Sequence, residues 1–173
     1  MKKEIEVVII DVDFNSLVKK LKKLKAKEIY NGFFYDYFYD KKSKKLKKTN
    51  QVLRLRKLDD GSAIITFKEN PVFKDYKIRD EYEITSNDFL ETKKIFEKLG
   101  YVLLTKRKMK RTIYLLSDVF IDFHDLLDKQ IPIYLEVEGP TKKQILDVTK
   151  KLGFTKKDLH SSTTKEVINK FKK

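Results

Sequence analysis

In five short stretches of this chain, charged or hydrogen-bonding side chains recur at every second position inside runs that are otherwise aliphatic or aromatic. They are Glu4/Glu6, Arg54/Arg56, Thr66/Lys68, Arg79/Glu81/Glu83 and Glu136/Glu138. A strand turns residues i and i+2 to the same face, so each set shares one face while residues such as Ile5 and Val7 take the other. A half-exposed sheet also alternates polar and apolar residues. Glu-x-Glu departs from that simple pattern, because two neighbouring carboxylates repel unless a cation neutralises them. Carboxylate pairs suit hard divalent cations, which take oxygen ligands, and arginine or lysine pairs suit phosphate oxygens. Both kinds of pair in one sheet describe a site for a metal-bound polyphosphate.

The rest of the chain predicts how that sheet is built. Residues 3–10 read as a strand, and Asp13 is a good N-cap for an amphipathic helix over 14–25 with the stripe Leu17, Val18, Leu21 and Leu24. The aromatic run 28–40 reads as a long strand bent near Gly32, followed by a polar, mobile loop over 41–50. Residues 51–58 and 63–69 form a hairpin around Asp59-Asp60-Gly61-Ser62, whose glycine supplies the positive φ of a tight turn. A strand over 77–84 precedes a helix over 88–99, capped by Ser86 or Asn87 and ended by Gly100. Strands follow over 104–116, 119–126 and 131–139, then a helix over 142–152 capped by Thr141 and a short one over 163–171. That is about eight strands joined mostly by short turns, an antiparallel α+β pattern whose sheet curls or closes. With 173 residues, 40% of them hydrophobic, and no linker or repeat, a single domain over 1–173 is expected.

Several functions are excluded or disfavoured by composition. There is no cysteine, so disulfides, thiolate zinc sites and cysteine nucleophiles are ruled out. Two histidines suit zinc poorly, and His124 and His160 read as structural or surface groups. No glycine-rich phosphate loop is present. The N-terminus has no signal-peptide pattern and no run nears the roughly 20 apolar residues of a membrane span, so cytoplasm is the expected compartment and no membrane is involved. Net charge is +14, which invites nucleic acid, yet most lysines lie in runs such as KKSKKLKK that read as solvated faces and argue against such a partner. Only five of the 40 basic residues are arginine, and Arg54, Arg56, Arg79, Arg107 and Arg111 all fall in or beside predicted strands. Placing the planar, bidentate groups there singles those strands out as anion binders. The aromatic residues of 30–39 read as wall and packing groups more readily than as a stacking surface.

In this order, the segments resemble the CYTH superfamily of triphosphate tunnel metalloenzymes, which includes class IV adenylate cyclases, thiamine triphosphatases and inorganic triphosphatases. Glu4 and Glu6 match its opening Glu-x-Glu-x-Lys, Arg54 and Arg56 its Arg-x-Arg, and Thr66 and Lys68 its Thr-x-Lys. Arg79, Glu81 and Glu83 match Arg-x-Glu-x-Glu, the run 110–114 its basic strand, Asp122 an Ile-Asp strand, and Glu136 and Glu138 the closing Glu-x-Glu. The stretch 36–40 looks like its second strand. The resemblance implies a closed eight-stranded antiparallel β-barrel, a tunnel with helices outside, holding one or two Mg²⁺ or Mn²⁺ ions and a triphosphate.

On that basis Glu4, Glu6, Asp122, Glu136 and Glu138 are assigned to metal. Arg54, Arg56, Lys68, Arg79, Lys110 and Arg111 are assigned to phosphate oxygens, with Lys68 and Arg111 as the catalytic groups that offset charge on the transferring phosphoryl group. Strand parity puts Lys110 and Arg111 on opposite faces. Glu81 and Glu83 have three open roles: binding metal, orienting water, or balancing Arg79. The expected substrate is ATP, thiamine triphosphate or tripolyphosphate, hydrolysed by water, in a monomer or homodimer. The alternatives are cyclisation of ATP to cyclic AMP and pyrophosphate, and binding without turnover. One position departs from the pattern: Val8 stands where the family has lysine. Either a neighbouring lysine replaces it, or turnover is slow, or the chain is a binder. Restoring the charge with Val8→Lys is expected to raise turnover roughly ten- to hundredfold if the lost bond matters in the transition state.

Overall fold

The computed structural model describes residues 2–172. The chain opens with β1 (Lys2–Ile9), α1 (Phe14–Lys23) and β2 (Lys27–Lys41), then α2 (Lys45–Lys48), β3 (Val52–Lys57) and β4 (Ala63–Lys68). It continues through β5 (Val72–Phe73), β6 (Lys77–Ser86), α3 (Phe89–Lys98), β7 (Tyr101–Leu116), β8 (Val119–Asp125) and β9 (Tyr134–Glu138). It ends with α4 (Lys142–Lys151), a 3₁₀ turn (Lys156–Asp158) and α5 (Thr164–Phe171).

The strands are ordered β1-β9-β8-β7-β2-β3-β4-β6, and β6 pairs again with β1, so the eight-membered order closes; β5 adds two residues to β6. The fold is therefore α+β, a closed eight-stranded antiparallel β-barrel with five α-helices. Closure removes the free edges that an open sheet exposes.

Contacts along the chain divide it into two compact units. One takes in Glu4–Phe33, Val72–Ile78 and Met109 onward; the other takes in Phe34–Pro71 and Arg79–Lys108. Strands β1, β2, β6 and β7 each contribute residues to both. In the first unit Val7 and Ile9 of β1 join Leu17 and Leu21 of α1, Ile121 and Phe123 of β8, and Ile145 and Val148 of α4 in an apolar core. In the second, Leu53 and Leu55 of β3 pack with Tyr39 and with Phe89 and Phe96 of α3. Apolar residues of β1 and β3 thus face helices, and the charged residues between them occupy the other face of the sheet.

Local signals account for most element ends. Asp13 accepts a hydrogen bond from Ser16 N and Thr141 one from Gln144 N, as N-caps do. Gly61 turns the β3–β4 hairpin with φ +86°, and Gly100 follows α3 with φ +78°. Four expectations need correction. The cap of α3 is Asp88, whose carboxylate accepts from Glu91 N, because Ser86 stays in β6 and its Oγ accepts from Thr92 Oγ1. Residues 41–50 are not an open loop: they contain α2, with Leu46 buried. Strand β7 starts at Tyr101, and β9 starts only at Tyr134, because Ile131 closes a turn onto Asp128 O.

Candidate functional site

The first unit gathers acids. Glu6 lies opposite Glu138 in the β1–β9 ladder, and Glu4 shares its face two residues earlier. One carboxylate oxygen from each of Glu4, Glu6 and Glu138 lies within 4.8 Å of the others. Glu4 and Glu6 are only 2% and 1% exposed, which rules out relief of their repulsion by bulk water. Lys77 Nζ pairs with Glu6 Oε1, while the buried Oε2 accepts no hydrogen bond among the described residues. Three converging carboxylate oxygens in a low-dielectric setting form a donor set that a hard divalent cation with oxygen ligands fits.

The next cross-strand row holds Val8, Glu136 and Asp122, and the row beyond it holds Tyr134, His124 and Arg111. Arg111 grips Asp122 through both ends of its fork: Nε donates to Oδ1 at 2.6 Å and Nη2 pairs with Oδ2. His124 Nδ1 is 2.9 Å from the Tyr134 hydroxyl, and its Nε2 is 3.6 Å from Asp122 Oδ1. Burial pushes the Glu136 carboxyl up and Glu4 adds to that. The charges of His124, Lys77 and Arg111 outweigh both and bring it down to about 2, so Glu136 is ionised.

The second unit gathers bases, each already on an acid. Arg56 donates to both oxygens of Asp36, at 2.7 and 3.0 Å, with its guanidinium 3.8 Å from the Phe34 ring centre. Arg54 Nη2 donates to Thr66 Oγ1 at 3.0 Å, Thr66 donates on to Glu83, and Arg54 lies 3.8 Å from the same Glu83 oxygen. Lys68 pairs with Glu81 at 3.0 Å. Burial and then the charge of Arg56 push the Arg54 pKa down, against Asp36, Glu81 and Glu83, which push it up. These acids occupy donors whose planar geometry equally fits phosphate oxygens.

A CYTH-domain family model matches residues 2–168. The chain belongs to the CYTH family. A candidate adenylate cyclase of Methanocaldococcus jannaschii is 30% identical over 148 residues, which cover 86% of this chain and 81% of that protein. Among solved structures, a Pyrococcus horikoshii protein is 26% identical with TM-score 0.76, covering 95% of this chain and 98% of its own. A candidate adenylate cyclase of Vibrio parahaemolyticus shares the fold at TM-score 0.83 with 14% identity, covering 97% and 98% of the two chains. So does a Hippeastrum protein described as having a dominant triphosphatase activity, at TM-score 0.68 and 13% identity, covering 98% and 96%. CYTH enzymes are metal-dependent and take triphosphate substrates.

Against this CYTH frame, the sequence-assigned residues fall into several groups. Glu4, Glu6 and Glu138 converge, and Glu136 and Asp122 lie one row away beside Arg111 and His124. Arg54, Arg56 and Lys68 share the β3–β4 face, and Arg79 is half-buried on β6. Lys110 is exposed, one residue out of phase with buried Arg111, so it does not join the buried basic set. Glu81 and Glu83 engage Lys68 and Arg54, which gives them a pairing role beyond Arg79. Two charged residues escaped the sequence reading, Asp36 and Lys77, and His124, read there as a structural or surface group, is buried beside Asp122. Their signals were present, since Lys77 is two residues before Arg79 and Asp36 is an acid within an aromatic strand. Among the described residues no helix is long and apolar enough to cross a membrane.

Proposed function

We propose that this CYTH protein is a metal-dependent triphosphatase acting on an inorganic or organic triphosphate, with Mg²⁺ or Mn²⁺ as its cation. The observation that carries this reading is the convergence of buried Glu4 and Glu6 with half-buried Glu138, a donor set that suits a hard divalent cation. Glu4, Glu6 and Glu138 hold the cation, with Glu136 and Asp122 as the next acids. Such a cation, when bound, neutralises charge on the phosphate oxygens. Arg54, Arg56, Lys68, Arg79 and Arg111 bind phosphate oxygens, exchanging carboxylate partners for substrate. Water attacks the terminal phosphorus, the bond from that phosphorus to the bridging oxygen breaks, and one water proton is released as the diphosphate leaves. Lys68 and Arg111 stabilise the charge that spreads over the departing and transferring oxygens.

A second reading, a class IV adenylate cyclase, is favoured by the name of the Methanocaldococcus relative. There the ribose 3′-hydroxyl attacks the α-phosphorus, forming cyclic AMP and releasing pyrophosphate. The deciding experiment incubates the purified chain and Mg²⁺ or Mn²⁺ with ATP, thiamine triphosphate and tripolyphosphate, and resolves phosphate, pyrophosphate and cyclic AMP. Phosphate release that stops with EDTA and returns with Mn²⁺ is expected. Cyclic AMP with pyrophosphate would establish the cyclase instead, full turnover in chelator would remove the metal role, and binding without products would make the chain a sensor.

A further inference from the structure

Lys77 is 4% exposed, an unusual position for an ammonium, which is costly to take out of water. Its neighbours show why it is tolerated. It pairs with Glu6. It therefore lies beside a member of the three-carboxylate set. Val8, two residues after Glu6 on that face of β1 and opposite Glu136 of β9, supplies no charge: it is fully buried and clusters with Tyr134 and Val167. Positive charge reaches this stretch of β1 from β6 instead.

Two cations compete for the same carboxylate. Glu6 Oε1 is taken by Lys77, so a divalent ion that uses both Glu6 oxygens must displace the ammonium or accept its repulsion. Lysine is a compact point charge on a flexible stem with three rotatable donors, and it can turn to a new anion without the fixed orientation an arginine fork demands. Resting on the reading of this site as one for a metal-bound triphosphate, we propose that Lys77 is a substrate-binding residue that alternates between two anions. It neutralises Glu6 while no divalent cation is bound, and it turns to a phosphate oxygen once Glu6 ligates one. Lys77 then plays two opposed parts, weakening metal binding to the empty protein and strengthening triphosphate binding to the metal-loaded protein.

The test is calorimetry on the full chain, first titrated with Mn²⁺ alone and then, at saturating Mn²⁺, with tripolyphosphate. Lys77→Met is expected to tighten Mn²⁺ binding about tenfold by removing the competing charge. The same variant should weaken tripolyphosphate binding about ten- to hundredfold, the range for a lost hydrogen bond to a charged group. Lys77→Arg, which keeps the charge, is expected to recover most of the tripolyphosphate affinity. Mn²⁺ affinity that falls or stays the same in Lys77→Met, or unchanged tripolyphosphate affinity, would overturn the proposal. If the methionine variant does not fold, Lys77→Gln, which keeps a donor beside Glu6, carries the same expectations. Failure of both to fold would make Lys77 a structural ion-pair partner and also overturn it. Wild-type protein that binds neither Mn²⁺ nor tripolyphosphate would defeat the triphosphatase reading itself, which is a separable result.

Discussion

Val8 shows how one residue's surroundings change the meaning of a motif. As a letter in Glu-x-Glu-x-Val it marks a missing lysine; in the fold it is fully buried, packs with Tyr134 and Val167, and exchanges backbone hydrogen bonds with His160. A lysine there would force a longer, charged chain into a filled apolar cluster. The structure therefore revises the expected gain. Val8→Lys should lower stability by about 1–3 kcal/mol, the usual cost of overpacking, and leave turnover no higher than wild type. Urea denaturation with a phosphate-release assay checks both, and a stable variant with tenfold faster turnover would show that the cluster yields. Lys77 fits the alternative that a neighbouring lysine takes over, and one sequence could not single it out from the other lysines, since its pairing with Glu6 depends on a fold contact between β1 and β6.

At the scale of elements, the helices with an acid or hydroxyl placed to cap the first turn were legible: Asp13 and Thr141 mark α1 and α4 as read. The cap of α3 is Asp88 rather than Ser86 or Asn87 because three capping types stand in succession and strand pairing decides which one is free. Helix α2 was missed because its cap comes from outside its own first turn. Asp40, at the end of β2, accepts backbone N–H groups of Lys41, Leu46 and Lys47 at 2.7, 3.0 and 2.9 Å. Burial alone would raise its carboxyl pKa, but the bonds from Lys47, Leu46 and Lys41 bring it below the ordinary 3.8. A depressed carboxylate stabilises the fold at pH values above 3.8 and loses that contribution as pH falls below it. Asp40→Asn, with one acceptor oxygen and no charge, should cost about 1.5–3 kcal/mol at neutral pH. The gap from wild type should narrow in urea melts near pH 3. A gap that stays constant with pH would show that the charge of Asp40 is irrelevant to α2.

For the whole molecule, net charge and site make different demands. The +14 charge, taken alone, is the signature of a nucleic-acid binder, whereas the arginines of β3 pair with acids on one face of the sheet. Arg56→Ala and Lys68→Ala should each abolish tripolyphosphate binding in the folded protein, while neutralising the exposed Lys42, Lys44, Lys45 and Lys48 should change it less than twofold. The reverse, with strong salt dependence and RNA retention by the lysines, would point to the surface instead. Sequence by itself determined which residues share a face, because strand periodicity is a local property: Glu4 with Glu6, Arg54 with Arg56, Glu136 with Glu138. It also determined the antiparallel α+β class, through hairpin turns and caps that act over a few residues. Which strands meet, and in what register, depends on the packed fold. That placed Glu6 opposite Glu138, put Asp36 on Arg56 and Asp122 on Arg111, brought Lys77 to Glu6, and left Lys110 in solvent. The physical reason is that ion pairs and metal ligands are selected by proximity across strands distant in sequence, and no local pattern encodes that distance.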